Sequence, residues 1–164
     1  MSVPLVIAGT TFNYPTSGQS PNWAEEASSW AVAVTEVLNT LLGPGDILQS
    51  SSEIKNNISS SSPELIQGLI FDPGVVRAAN IFYSVYRASD TTTSGAVETG
   101  MMFVIFDDAA IDANKWRLTQ NKNNDAGVVF SIDHNGQMYY YSSDIGDAGH
   151  SGLMKFSAKA LTKI

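Results

Sequence analysis

The acidic side chains are the first place to look for chemistry. Asp107, Asp108 and Asp112 fall within one short stretch, a spacing that could gather carboxylates around a hard cation. Asp133-x-Asn135-Gly136 matches the opening of a calcium loop, but the later bidentate carboxylate of that motif is missing. Asp, Asn and Gly also populate turns for backbone reasons, so the expectation is no metal and no cofactor. His134 stands beside Asn135-Gly136 and His150 beside Gly149, and neither has a partner at ligand or triad spacing. Serines abound without a G-x-S-x-G frame. The histidines read as solvated loop residues, and the chain reads as no enzyme. A glycoside-cleaving site would need two carboxylates converging in a cleft, and nothing in the spacing places two together.

Aromatic residues offer a different chemistry. Tyr139, Tyr140 and Tyr141 are consecutive, with Tyr83, Tyr86 and Trp116 elsewhere. In a strand Tyr139 and Tyr141 share one face and Tyr140 takes the other. Trp116, Tyr139 and Tyr141 could form a platform for sugar rings; the same residues also suit cross-strand packing or a subunit contact. Glu98, Arg77 and Arg87 sit in otherwise apolar runs, so they are expected to be paired or to lie at a sheet edge, where charge deters unwanted strand addition.

The elements that position these residues are strands. Residues 75–143 contain runs rich in Val, Ile, Phe and Tyr bounded by Gly, Asn, Asp, Ser or Thr clusters. Asn135-Gly136 predicts a type I′ turn that folds Gly127–Asp133 onto Gln137–Ser143. In the run Val75–Arg87, Ala79, Ile81, Tyr83 and Val85 point to the core. Ala78, Asn80, Phe82, Ser84 and Tyr86 point the other way, with enough aromatic area to meet another sheet or subunit. Ala96–Phe106 is apolar on both faces at its centre, which places it inside a sandwich or under a partner. Lys115–Gln120 is a short strand, and Ser151–Leu161 is the last strand, closing a sheet.

The preceding residues differ in character. Residues 1–19 read as an extended arm in which Val3–Ala8 could pair as an edge strand despite Pro4; Phe12 and Tyr14 would dock on another element or subunit. Ser20-Pro21 opens an amphipathic helix over 20–43, stopped by Gly43-Pro44-Gly45. Trp23, Ala27, Trp30, Val34, Val37 and Leu41 step by alternating fours and threes, a heptad-like seam. Such a stripe either lies on a sheet or packs against its own copies about a symmetry axis. Residues 44–68 read as a polar linker with room for a short strand at Ser52–Asn56, and 69–164 as the β domain. The fold class is therefore α+β, mainly β: an antiparallel β-sandwich or jelly-roll-like domain of six to eight strands, preceded by an extended N-terminal arm and one amphipathic helix.

Composition narrows the partners. The chain has 164 residues, 43% hydrophobic, with only nine Lys and Arg and a formal net charge of −7. That surface repels phosphate backbones and anionic membranes, which argues against nucleic acid or a lipid surface as partner. There is no cysteine, so disulfides and thiolate chemistry are out. The start has no basic region before its short apolar run, and no apolar window is long enough to span a bilayer.

Taken together, FNYPTSGQSPNWAEEASSWAVAVTEVLNTLLGPGDIL, GLIFDPGVVRAANIFYSVYR, ETGMMFVIFD, AGVVFSIDHNGQMYYYSS and GLMKFSAKAL resemble small virion proteins and fibre-associated segments of tailed bacteriophages. The resemblance runs from Phe12 onward and is one of sequence texture. It implies a structural role in decorating heads, forming fibres or sitting at tails and collars, often as a homotrimer, with synthesis in the host cytoplasm and residence in the virion. The absence of a repetitive shaft points to a decoration or accessory protein. It implies other virion proteins, further copies of the chain and host-surface glycan as partners, and supplies no catalytic residue. Phe12, Tyr14, Trp23, Trp30, Val34, Val37 and Leu41 are the candidate docking and oligomer contacts.

Overall fold

The computed structural model describes residues 3–7, 10–14, 27–35, 43–91 and 95–163. The chain divides into two compact units, Met1–Gly43 and Pro44–Ile164.

In the first unit, β1 (Val3–Ile7) and β2 (Thr10–Tyr14) pair antiparallel, from Val3 opposite Tyr14 to Ile7 opposite Thr10. The stretch expected as an extended arm thus carries a ribbon that satisfies its own backbone. A two-stranded ribbon consists of edges, which is where a strand tolerates a proline such as Pro4. Residues 27–35 are helical, with Ala27, Trp30 and Val34 half-buried and Val32 exposed. Those three lie on the expected stripe. Trp23, Val37 and Leu41 lie outside the described residues, and Phe12 and Tyr14 are described only in their backbone.

The second unit is an antiparallel β-sandwich. Its strands are β3 (Ile47–Glu53), β4 (Glu64–Ile70), β5 (Val76–Ala88), β6 (Ala96–Phe106), β7 (Trp116–Asn123), β8 (Val128–Ile132), β9 (Gln137–Ser142) and β10 (Ser151–Thr162). They form a five-stranded sheet, β3-β10-β5-β6-β7, and a three-stranded sheet, β4-β9-β8. One core joins the inner faces: Ala79, Ile81, Tyr83, Val85, Met102 and Val104 from the larger sheet meet Ile66, Leu69, Val128, Phe130, Met138 and Tyr140 from the smaller. Tyr83 meets Phe130 edge-on across the layers, ring centroids 5.2 Å apart. The mainly β class and the core-facing set of the β5 strand are as the sequence reading has them.

Four local features differ from expectation. Residues 44–68 are not merely linker: they hold β3 and most of β4. β3 is an edge strand in which Ser52 faces inward, as does Ile54 just past its end, and the Ser52 hydroxyl accepts the Gln67 N–H at 3.2 Å. A serine-rich run can serve there because only one side needs a ladder. β4 is broken at Gly68, whose φ is +75°; the Gln137 amide donates to the freed carbonyls of Ile66 and Leu69. The β8–β9 hairpin forms as expected, but its turn is not type I′. Only Gly136 has positive φ. The Gly136 N–H returns to the Asp133 carbonyl at 3.1 Å, and the Asp133 carboxylate takes the N–H groups of Asn135 and Gln137. This is a type I turn closed by a glycine bulge, selected by the aspartate side chain. Finally, β10 completes the larger sheet as read, but from an interior position, between β3 and β5.

Two buried charges hold the connecting loops. Arg87 and Glu98 are both 0% exposed. The Ala126 N–H donates to Glu98 Oε2 at 2.9 Å, and the Ala126 carbonyl accepts from Arg87 Nη1 at 2.8 Å. Glu98 also accepts from the Tyr83 hydroxyl, Gln120 Nε2 and Lys122 Nζ. Arg87 donates further to the Ser143 carbonyl and to Asn56 Oδ1. Gly127 follows at φ +68°, where an added Cβ would lie 2.1 Å from Ser143 Oγ, so only glycine fits this turn. Removing one side of such an arrangement leaves desolvated polar groups behind. Arg87→Met keeps the aliphatic stem but strands the carbonyls of Ala126 and Ser143; urea denaturation should show a loss of about 3 kcal/mol or more with the β spectrum retained in the folded fraction.

Candidate functional site

The acidic residues singled out by spacing are all engaged locally. Asp107 accepts the Ala109 N–H at 3.1 Å and lies 3.6 Å from Arg117. Asp108 binds Lys163 at 2.9 Å and faces Arg77 at 3.5 Å. Asp112 pairs with Lys115 at 2.8 Å. Each carboxylate answers its own cation or turn, and among the described residues no group of three or more Asp, Glu or His side chains is placed to hold a metal. His134 is exposed. His150 is half-buried, and its Nε2 is shielded from water without a hydrogen-bond partner, unlike the solvated loop residue expected.

The aromatic platform is only partly assembled. Trp116 is 6% exposed and packs against Phe106 at 4.9 Å and Phe71 at 6.2 Å. It belongs to the core and presents no face to a ligand; its inward position on β7 puts it there. Tyr140 is also core. Tyr139 and Tyr141 do share the outer face of the smaller sheet, half-buried, with Tyr139 opposite Leu65 and Tyr141 opposite Val129.

Next to Leu65 lies a cleft of about 430 Å³ between the free edges of β3 and β4, lined by Glu53, Lys55, Glu64, Leu65, Gln67 and the Tyr140 hydroxyl. Lys55 Nζ binds Glu64 at 2.9 Å, and the Lys55 N–H donates to the Tyr140 hydroxyl at 2.9 Å. The hydrogen bond it donates to Glu64 holds the Lys55 ammonium above its ordinary pKa. Two carboxylates, an ammonium, an amide and an apolar wall make a surface suited to a polyhydroxylated ligand. Spacing could not reveal it, because it depends on the two sheet edges meeting.

The buried charges show how firmly their network is set. Burial, reinforced by Glu98, pushes the Tyr83 hydroxyl well above its usual pKa. Burial draws the Arg87 guanidinium down, partly offset by the neighbouring Tyr140 and Asp144. Lys122 loses something to burial, but hydrogen bonds to Glu98 and Asp125 leave it raised overall. Tyr83, Glu98, Gln120 and Lys122 have the residue types of an acid–base site. Glu98 is the common acceptor of the other three, and Gln120 also donates to the Tyr83 hydroxyl.

A third surface feature is apolar. On the outer face of the five-stranded sheet, Phe82, Tyr86, Val97, Phe103, Ile105 and Leu153 are 41% to 52% exposed. The two-faced apolar pattern of β6 is thus explained: one face is core and the other is open. No helix among the described residues is long and apolar enough to cross a membrane.

No protein-family model matches the chain, and no curated protein does. Two solved structures are distantly similar to it. The tailspike protein of Acinetobacter phage vB_ApiP_P1 shares 9% identity, over 70% of this chain and 22% of its own, with a TM-score of 0.41. The tailspike protein gp49 of Acinetobacter baumannii bacteriophage Fri1, a capsular polysaccharide depolymerase, shares 14% identity, over 79% of this chain and 23% of its own, also with a TM-score of 0.41. This chain therefore spans less than a quarter of either protein, and likeness at that level transfers neither activity nor substrate.

The carboxylates dictate the pH response. The Gly127 N–H and Lys122 hold Asp125 below the usual carboxylate range, and the Gly146 N–H and Asn56 do so for Asp144. A depressed folded pKa contributes stability that is present above the unfolded value of about 3.9 and is lost as pH falls through the folded value. Lys122, raised, contributes below the unfolded lysine value of about 10.4 and loses it at higher pH. Melting temperature should hold steady between about pH 5 and 8 and fall below about pH 4; Asp125→Asn should flatten the acid limb in calorimetric scans.

Proposed function

We propose that the protein is a non-enzymatic structural component of a tailed-bacteriophage virion, a capsid decoration, fibre or tail and collar accessory protein. It acts by self-association, as a homotrimer, and by docking on neighbouring virion proteins. The observation that carries this reading is the open apolar face of the five-stranded sheet, since a soluble chain rarely leaves such a face uncovered. The sequence resemblance to small virion proteins supports it. So does the engagement of the candidate carboxylates Asp107, Asp108, Asp112 and Asp133 in local structure. An acidic surface of net charge −7 fits protein partners better than nucleic acid. Multi-angle light scattering at two micromolar concentrations should give three times 17.6 kDa. A mass of one chain at both concentrations would sink the reading.

A carbohydrate- or receptor-binding module of a tail fibre is the second reading. It is favoured by the continuity of Tyr139 and Leu65 with the β3–β4 cleft. Tyr139 supplies a ring face and the cleft supplies hydrogen-bonding groups. Calorimetric titration with host-surface polysaccharide should then give a binding isotherm that Tyr139→Ala weakens by about tenfold. Flat heats across neutral and acidic polysaccharides would leave the structural reading alone.

A further inference from the structure

We propose that the outer face of the five-stranded sheet, centred on Phe82 and Phe103, seats a second copy of this chain. The inference rests on the self-association reading above and names its surface.

Three features single out a like chain as occupant. The first is area. The six exposed side chains of this face present on the order of 500 Å² of apolar surface. That is near the top of the roughly 300–600 Å² found as the largest patch on a monomer. It is also most of the apolar centre that a standard interface of about 800 Å² per partner requires. The second is anatomy. β5 and β6 lie towards the middle of the sheet and hold Phe82, Phe103 and Ile105; β7 on one side brings exposed Arg117, Thr119 and Asn121, and β10 on the other brings Lys155. An apolar centre inside a polar rim is how protein interfaces are built.

The third is self-complementarity. Phe82 stands opposite Met101, and Phe103 opposite Asn80, so the two rings sit diagonally as a ridge. Beside Phe82 lies a shallow hollow of about 560 Å³ bordered by Thr99, Met101, Asn121 and Asn123. One face thus carries both a ridge and a recess able to receive one, which closed association of identical chains exploits. Charge agrees. The chain has a net charge of −7, yet the outward positions from Ala78 to Tyr86 on β5 and from Val97 to Ile105 on β6 hold no acidic residue. Two like-charged copies can meet here without opposing carboxylates.

The test compares the full chain with Phe103→Glu and Phe82→Glu, and with Val129→Glu as a control on the outer face of the other sheet. Sedimentation velocity should give an oligomer for the unchanged chain and for Val129→Glu. It should give a single 17.6 kDa species for the two Phe variants, with their β spectrum retained. A folded Phe103→Glu that keeps the parent mass overturns this surface while self-association stands; a monomeric parent overturns both. Should the glutamates prevent folding, the absence of native cysteine allows a second route. Asn80→Cys should be joined between copies by a short bismaleimide and Ser131→Cys, exposed on the other sheet, should not; the reverse pattern overturns the proposal.

Discussion

A single residue, Ala126, is held through the two peptide groups that flank it between a buried carboxylate and a buried guanidinium, and much of the sandwich depends on it. Its N–H lies on Glu98 of β6 and its carbonyl on Arg87 of β5. Both charges stand on the inner face of the larger sheet. The residue they grip leads into β8 of the smaller sheet. Burying two ions is costly, and the cost is tolerable only because nearly every polar atom is matched. Glu98 has Lys122 as its counter-charge. No carboxylate among the described residues reaches Arg87; neutral carbonyls and an amide solvate it instead. Asn56 completes that arrangement. Its oxygen accepts from Arg87 and from the Ile145 N–H, while its nitrogen donates to Asp144 and Asp147. The asparagine passes the positive field of the guanidinium to two surface carboxylates and fixes the loop that carries them.

This clamp frees the strands themselves for another use. Because loops and layers are registered by buried polar groups, the outward positions of β5 and β6 need not contribute to holding the unit together. They are apolar nonetheless. The inner face of β6 meets core residues of the smaller sheet, and its outer face carries Phe103 and Ile105 into solvent. The same strand therefore bears a fold on one side and an unpartnered surface on the other.

The alternation of β5 was legible in the sequence because period two is a local property, and the hairpin was legible because Asn135-Gly136 is a local turn signal. The type of that turn was not, because the Asp133 carboxylate bound two N–H groups and outweighed the preference of Asn135 for positive φ. β3 was obscured by its serines, which read as linker until a neighbouring sheet edge gives Ser52 a donor. Trp116 looked like a platform because exposure is not written in residue type; only the packing of Phe71 and Phe106 around it decides. Arg87 and Glu98 were read as paired or at a sheet edge; Glu98 does pair with Lys122, whereas Arg87 is buried among neutral acceptors, and both meet Ala126, 39 and 28 residues away in sequence. No pattern of spacing predicts a meeting of that kind. The cleft between β3 and β4 lay beyond reach for the same reason.

The position of β10 has a temporal meaning. It supplies the hydrogen bonds of β3 on one side and β5 on the other, so residues 47–53 have no sheet to join until residues 151–162 have been made. A nascent chain can zip β5, β6 and β7 into a meander early, since those contacts are near in sequence. It must then wait, with one edge of β5 unpaired, until residues 151–162 have been made and can slot into the gap. An open edge beside an apolar face is the species most prone to wrong pairing with a neighbour. The order of synthesis thus makes β10 the gatekeeper between productive folding and misassembly.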